Sequence, residues 1–204
     1  MIRLGDHNDL TLKKGVSSAT SIRGAIKGGK KSKTKKCVPP FVYKDLTDYP
    51  YLFDKLVIAK IISTSLENLR LVPDCTEGLE NRIKALAKDN RSLETLIEKI
   101  STKRYTKTRI SRILTASLLG IEKDFLTTCL NTPLYAKVLA VNSNSLDLIS
   151  TISKNSKVPV LTRKSDIDSL KKTALKCWEL DCLANDIYNL VSDKTINENQ
   201  MLIV

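Results

Sequence analysis

Histidine and long apolar runs are almost missing from this sequence, and each shortage excludes a class of protein. The 204 residues include one histidine, so no site that needs two histidines can be built from them. No apolar run approaches the roughly 18 residues of a membrane-spanning helix, so we expect no membrane partner. The first ten residues, MIRLGDHNDL, lack the apolar segment of a signal peptide, which predicts a cytoplasmic location.

Familiar catalytic and metal-binding motifs are missing as well. The sequence contains no Walker loop, no Gly-x-Gly-x-x-Gly turn and no recognisable Ser/His/Asp set. Its five cysteines are scattered, and the five-residue step from Cys177 to Cys182 is not a zinc-knuckle spacing. We therefore predict no catalytic residue and no protein-held metal, with thiols that stay reduced in a cytoplasm.

Acidic residues are in clear deficit. Lys and Arg number 34 against 22 Asp and Glu, which gives a net charge of +12. Such an excess attracts polyanions, and RNA, DNA and anionic membranes are the candidates. A basic protein whose charge serves only solubility is the plain alternative. The apolar content of 42% is that of a globular chain with a core.

The stretch Glu77–Ile121 has the clearest periodicity, and it predicts three successive helices. Apolar residues recur three or four positions apart, which places them on one face of each helix. Ser92 is expected to cap the second helix, and Gly120 to end the third. The apolar positions are Leu79, Ile83 and Leu86, then Leu93, Leu96, Ile97 and Ile100, then Ile110, Ile113, Leu114, Ser117 and Leu118.

The third of these helices and the turn before it are strongly basic. Five cations surround one tyrosine with no acid among them: Lys103, Arg104, Tyr105, Lys107, Arg109 and Arg112. We call these six residues the basic strip. Guanidinium groups fit anionic oxygens, and a basic patch with an interleaved aromatic ring is typical of nucleic-acid-binding surfaces. We predict that these cations face solvent and contact RNA phosphates; a merely solvated helix face is the common alternative.

A second anion-binding candidate lies near the N-terminus. The segment Ser17–Arg23, SSATSIR, is rich in hydroxyl groups and leads into a helix. Free N–H groups at a helix start, hydroxyls and one arginine can together face an anion. The plain alternative is an ordinary N-cap supplied by Ser18 or Thr20.

The next segment, Lys27–Pro40, is a low-complexity basic sequence with six lysines. Lysines that repel one another, next to two glycines, predict a mobile linker. The same segment can act as an electrostatic arm that attracts RNA without selecting its sequence. Lys30 and Lys31 are the arm residues that we expect to meet RNA.

The remaining chain completes an α+β fold that is predominantly α-helical. Residues 41–70 read as an aromatic-rich entry followed by a helix. The late segments Ala136–Val141, Ser145–Ser153 and Val158–Leu161 predict a strand, a helix and a strand, a crossover unit that favours parallel pairing. Asp166–Val191 predicts one or two closing amphipathic helices. We expect a short strand at Met1–Leu4 and a loose tail at the C-terminus.

Two motifs carry a resemblance to a known family. EGLENRI, at 77–83, and KRYTKTRISRIL, at 103–114, resemble the C-terminal half of the bacterial tRNA(Met) cytidine acetate ligases, which are HxGH-type nucleotidyltransferases. The SSATSIR segment resembles that family's loop for ATP phosphates. This implies that Arg23 is a phosphate ligand, assisted by Ser18, Thr20 and Ile22. The family's N-terminal domain carries an Asn-Pro-Phe-His-x-Gly-His motif, which this sequence does not contain.

The resemblance implies a division of the chain and a function. The parts are a remnant of the nucleotide-binding domain at 1–29, a basic linker at 30–40, a helical RNA-facing module at 41–135, a small α/β part with a closing helix at 136–192, and a tail at 193–204. The implied function is the tRNA-binding part of an enzyme that uses ATP to activate acetate, and the implied partners are tRNA and the missing domain. ATP would bind only together with that domain. A stand-alone RNA-binding module without catalysis remains the alternative.

Overall fold

The computed structural model describes residues 9–15, 17–47, 51–192, 195 and 201–203, with the backbone alone for residues 45 and 51. The chain divides into two compact units, Met1–Pro50 and Tyr51–Val204. The strand predicted at Met1–Leu4 and most of the predicted tail at 193–204 lie outside the described residues.

The first unit contains helix α1 (Ala19–Lys27), a 3-10 helix (Lys31–Lys36) and helix α2 (Pro40–Asp45). The segment Lys27–Pro40, which we predicted to be a mobile linker, therefore contains a helical turn and internal contacts. Thr34 is fully buried, the N–H of Gly15 donates to the Lys36 carbonyl at 3.0 Å, and the Lys31 ammonium donates to the Leu46 carbonyl. These contacts outweigh the repulsion among lysines on which the prediction rested.

The core of the second unit is built from five helices: α3 (Tyr51–Ser63), α4 (Leu66–Leu71), α5 (Leu79–Asp89), α6 (Leu93–Ile100) and α7 (Lys107–Leu119). The three helices predicted within Glu77–Ile121 are α5, α6 and α7. Their predicted inner faces are confirmed, because Ile83, Leu96 and Ile113 are each fully buried. Gly120 ends α7 in the left-handed region at φ 70°, as predicted.

The cap of α6 differs from the prediction. The Ser92 side chain makes no capping bond. Instead, the Oδ2 atom of buried Asp54 on α3 accepts the Leu93 N–H at 3.0 Å. Sequence patterns predict only caps that are formed by residues next to the helix, whereas Asp54 lies 39 residues before Leu93 in the chain.

The later elements are α8 (Lys123–Leu130), β1 (Ala136–Lys137), β2 (Ala140–Val141), α9 (Leu146–Asn155), β3 (Val160–Leu161), α10 (Lys172–Ser192) and β4 (Leu202–Ile203), with two short 3-10 helices at Ser143–Ser145 and Lys164–Ser169. The predicted crossover is confirmed, since β1 and β3 pair in parallel on either side of α9.

The single strand predicted over Ala136–Val141 is instead two short strands in different sheets. β1 pairs with β3, whereas β2 pairs in parallel with β4. Part of the expected loose tail is therefore a strand, and the Leu202 N–H donates to the Leu139 carbonyl at 3.0 Å. The fold is α+β and mostly helical, as the sequence indicates.

Candidate nucleic-acid interface

The two motifs that carry the family resemblance lie against each other. The turn at 73–78, between α4 and α5, packs against the basic strip. Asp74 and Glu77 in this turn have φ values of 65° and 63°, a conformation that side-chain-bearing residues seldom adopt. Gly78 follows at φ 80°, where the absence of a side chain removes the strain. A turn with two strained residues persists only when its surroundings hold it in place.

Arg109 is the residue that holds this turn. Its Nε and Nη2 atoms donate to the Asp74 carbonyl oxygen at 3.1 and 2.7 Å. Nη2 also donates to the Thr76 hydroxyl at 3.0 Å. The guanidinium lies 5.2 Å from the centre of the Tyr105 ring, within the range of a cation–π contact. Arg109 therefore has a structural task in addition to its charge.

Three other cations of the strip form ion pairs. Arg112 meets the Asp74 carboxylate at 2.9 Å, Arg104 meets that of Glu77 at 2.6 Å, and Lys107 meets Glu98 at 3.0 Å. The hydrogen bond and charge of Glu77 raise the pKa of the Arg104 guanidinium above its ordinary value.

Four of the five cations thus have partners within the protein, although Lys103, Arg104, Lys107 and Arg112 are exposed to solvent as expected. Their partners lie 9 to 38 residues away in the sequence, so a search at helical spacing does not find them. Lys103 is exposed and has no partner among the described residues. The paired side chains nevertheless stay accessible: 66% of the Arg104 and 62% of the Arg112 side-chain surface remains exposed. Five cations face three carboxylates here, so the surface keeps a positive excess.

Tyr105 is packed rather than displayed. It is half-buried against the core of the second unit, and its hydroxyl donates to the Glu77 carbonyl at 3.4 Å. The Arg104 guanidinium lies 5.8 Å from its ring centre, so arginines approach the ring from two positions. This arrangement makes Tyr105 a support for the strip and not an open stacking platform.

An open groove of about 490 Å³ adjoins the Asp74–Arg112 pair. It is lined mainly by apolar surface, including Pro73, Ala116 and Leu126, and Thr108 and Ser111 of α7 contribute hydroxyl groups. The basic strip therefore borders a concave, mainly apolar surface, which the periodicity of the sequence does not predict.

Two cations that the sequence analysis did not single out stabilise helix ends. The Lys84 ammonium donates to three carbonyls at the end of α3, those of Ile61, Ile62 and Thr64. Arg82 donates to the carbonyls of Ile100 at 3.1 Å and Lys99 at 2.5 Å, at the end of α6. Positive groups suit a helix C-terminus, where carbonyls lack partners. Part of the high positive charge therefore serves the fold.

The N-terminal loop begins α1 with a conventional cap. The Ser18 hydroxyl accepts the Ser21 N–H at 3.0 Å and donates to the Asp9 carbonyl at 2.5 Å. Thr20 and Ile22 are half-buried, and Arg23 is exposed without a described partner. Ser18 is therefore occupied by the protein, and Arg23 is the member of this set best placed to meet a ligand.

The predicted arm residues differ from each other. Lys30 is exposed. Lys31 is tied to the Leu46 carbonyl and lies 5.8 Å from the Tyr43 ring centre, so its contacts are largely internal. Within the described residues, no cluster of three or more His, Cys, Asp or Glu side chains is placed to hold a metal ion. None of the described helices is long and apolar enough to cross a membrane.

Several curated proteins are similar to this chain in sequence. The tRNA(Met) cytidine acetate ligase of Clostridium kluyveri is 33% identical over 209 residues, which cover 97% of this chain and 50% of that protein. The corresponding ligase of Acetivibrio thermocellus is 39% identical over 139 residues, which cover 67% of this chain and 34% of that protein. The chain spans about half the length of the curated relatives that it matches along most of its own length.

The fold has counterparts among solved structures. The apo crystal structure of Thermotoga maritima TmcAL superposes with a TM-score of 0.83 at 18% identity, over 98% of this chain and 54% of that one. A second crystal form of that protein, bound with alpha-thio ATP, gives a TM-score of 0.80 at 19% identity, over 93% and 53%. A family model described as HIGH Nucleotidyl Transferase matches residues 3–201. The chain, with this fold and with relatives that are tRNA(Met) cytidine acetate ligases, belongs to the HIGH Nucleotidyl Transferase family.

Proposed function

We propose that this chain is the C-terminal, tRNA-binding part of an ATP-dependent tRNA(Met) cytidine acetate ligase and is not catalytic alone. The observation that carries the proposal is the match to named ligases along 97% of the chain but 50% of the relative. The other half of the enzyme would supply the HxGH nucleotide-binding domain, in the same polypeptide or as a separate one. A tRNA substrate implies a cytoplasmic location.

The reaction that follows from the family has two steps. Acetate attacks the α-phosphate of ATP to give acetyl-adenylate and pyrophosphate. The N4 amine of the wobble cytidine then attacks the acetyl carbonyl, and AMP leaves. Arg23 would contact ATP phosphates, because it is exposed on the second turn of α1 and a guanidinium fits phosphate oxygens. Thr20 and Ile22 would shape that loop, and Ser18 would hold its backbone.

The RNA contacts are proposed for the exposed members of the basic strip: Lys103, Arg104, Lys107 and Arg112. The ion pairs of Arg104, Lys107 and Arg112 are solvent-exposed, and such pairs contribute little free energy, so a phosphate can compete with the carboxylates. Arg109 and Tyr105 would act by keeping the strip and the 73–78 turn in position. Lys30 would add a long-range attraction. Phosphate contacts of this kind position the RNA, and its shape and loop bases provide selection.

The proposal is tested by complementation. The chain is mixed with the separately produced nucleotide-binding half of the Clostridium kluyveri ligase, together with ATP, acetate and tRNA-Met. Acetylated cytidine should form in the complete mixture and not with either half alone. The matched control is the Arg23→Ala variant, which should lower product formation while leaving tRNA binding intact.

Two outcomes would count against this function. If both halves are folded and the mixture forms no acetyl-adenylate, the split-enzyme interpretation loses its support. If the chain alone binds tRNA and the mixture of the two halves forms no acetylated cytidine, the stand-alone RNA-binding module becomes the better description.

A further inference from the structure

Two cysteines in the second unit lie in direct contact, although neither is near the other in sequence. Cys129, on the last turn of α8, and Cys177, on α10, have their Sγ atoms 3.4 Å apart. They are separated by 48 positions, so spacing rules for cysteine motifs do not connect them. Neither Cys129 nor Cys177 is part of a disulfide bond.

We propose that Cys129 and Cys177 are a thiol–disulfide exchange site that a small-molecule disulfide, such as glutathione disulfide, converts into an intramolecular cross-link. A disulfide bond is about 2.05 Å long, so the two sulfur atoms need to approach by roughly 1.4 Å. Rotation of the side chains can provide a movement of this size. The inference is independent of the tRNA function proposed above.

The site is accessible to a reagent of that kind. Both cysteines are half-buried and line an open groove of about 450 Å³. Phe125, Leu126 and Leu180 form much of its apolar wall. Cys75, by contrast, is 1% exposed within the core. A small disulfide can therefore enter the groove and react with one thiol, and the second thiol is already in contact with the first.

The chemistry balances through two exchange steps. The thiolate of one cysteine attacks a sulfur of the small disulfide, whose S–S bond breaks, and one small thiol leaves after taking up a proton. The second cysteine, as thiolate, attacks the protein sulfur of the mixed disulfide. The Cys129–Cys177 bond forms and the second small thiol leaves. Two protein thiols are oxidised, and one small disulfide is reduced.

The surroundings set the rate of the first step. Burial raises the pKa of the Cys177 thiol to about 11, with contributions from its hydrogen bond to Cys129 and from the nearby Asp181 carboxylate. The groups around the pair are Tyr135, which is hydrogen-bonded to Asp181, and Lys176, which lies over the Phe125 ring. Cys177 therefore carries little thiolate at neutral pH, so the exchange step in which it attacks should be slow there and faster under alkaline conditions.

The cross-link would change the unit that contains it. It would join α8 to α10 and close a loop that includes β1, β2, α9 and β3. Because a disulfide restricts the unfolded chain, the oxidised protein should melt at a temperature higher by about 5 °C or more than the reduced protein.

The experiment treats the 204-residue chain with glutathione disulfide at pH 8.5, followed by blocking of free thiols, proteolysis and mass spectrometry. The expected product is a peptide pair joined through Cys129 and Cys177. Cys129→Ser and Cys177→Ser should each abolish the pair. Cys182→Ser is the matched control, because it lies on the same helix five residues on, and it should leave the pair intact.

The outcomes decide the proposal. Stable glutathione adducts on Cys129 and Cys177 without a joined peptide would overturn it, as would a bond that maps to Cys182. The melting temperature provides a readout that does not depend on the serine variants folding well, since it compares oxidised and reduced wild-type protein. An unchanged melting temperature, with the joined peptide present, would overturn the stabilising effect.

Discussion

At the scale of single residues, Arg109 and Arg112 show how differently two neighbouring arginines can be used. Both lie on α7 and both belong to the basic strip. Arg109 is half-buried and makes three hydrogen bonds to the 73–78 turn. Arg112 makes a solvent-exposed ion pair with Asp74. The sequence presents them as equivalent cations, because the strained Asp74 backbone, whose carbonyl Arg109 binds, is visible only in three dimensions.

This difference predicts unequal effects on stability. Arg109→Ala should lower the free energy of unfolding by about 1–2 kcal/mol, because the Asp74 carbonyl loses its donors and the strained turn loses its support. Arg112→Ala should cost clearly less, since exposed pairs contribute little. Urea denaturation of both variants measures the difference.

Lys103→Ala is the control, because Lys103 has no described partner and should leave stability unchanged. Arg109→Lys separates charge from geometry. It keeps the cation but cannot reproduce the forked contact, so it should behave like the alanine variant. Equal stability of the Arg109→Ala and Arg112→Ala proteins would show that Arg109 does not hold the turn.

At the scale of helices and strands, the sequence predicts what is local and misses what is distant. Apolar periodicity identifies α5, α6 and α7 with their buried faces, because a helix repeats every 3.6 residues wherever it lies. The crossover of β1, α9 and β3 is found because two short apolar runs flank an amphipathic helical segment, which is also a local signal. Three other features depend on residues that are distant in the sequence, so a short sequence window cannot predict them. They are the partners of the arginines, the Asp54 carboxylate that caps α6, and the pairing of β2 with β4.

The cap of α6 gives a direct test at this scale. Asp54→Ala should destabilise the protein by about 1–3 kcal/mol, because the buried Leu93 N–H loses its acceptor. Ser92→Ala should cost little, although Ser92 stands at the usual capping position, because its side chain makes no capping bond. Chemical denaturation followed by circular dichroism compares the two. A larger loss in Ser92→Ala would show that the local cap is the effective one.

At the scale of the whole molecule, the net charge of +12 is evident from the sequence, but the sequence does not show what each cation does. Lys84 and Arg82 stabilise helix ends, Arg109 supports a turn, and Lys31 is bound within the first unit. The family match supports a tRNA-facing role for the remainder, but the site itself could be predicted only in part. The sequence proposes the segment, and that proposal awaits its test, whereas the acidic partners of the cations and the groove beside them emerge from the fold.

The most direct test of the central claim is the salt dependence of tRNA binding. We compare wild type with a variant in which Lys103, Arg104, Lys107 and Arg112 are all alanine. Each phosphate contact contributes about −0.9 to the slope of log affinity against log salt for duplex-like RNA, so this variant should bind more weakly, with a slope shallower by about 3 to 4. The control replaces an equal number of exposed lysines elsewhere in the second unit: Lys154, Lys157, Lys164 and Lys172.

The account predicts a large loss of affinity in the first variant and a small one in the control. Equal losses in the two variants would mean that net charge alone attracts the RNA. Wild-type protein that binds no tRNA at low salt would contradict the account altogether.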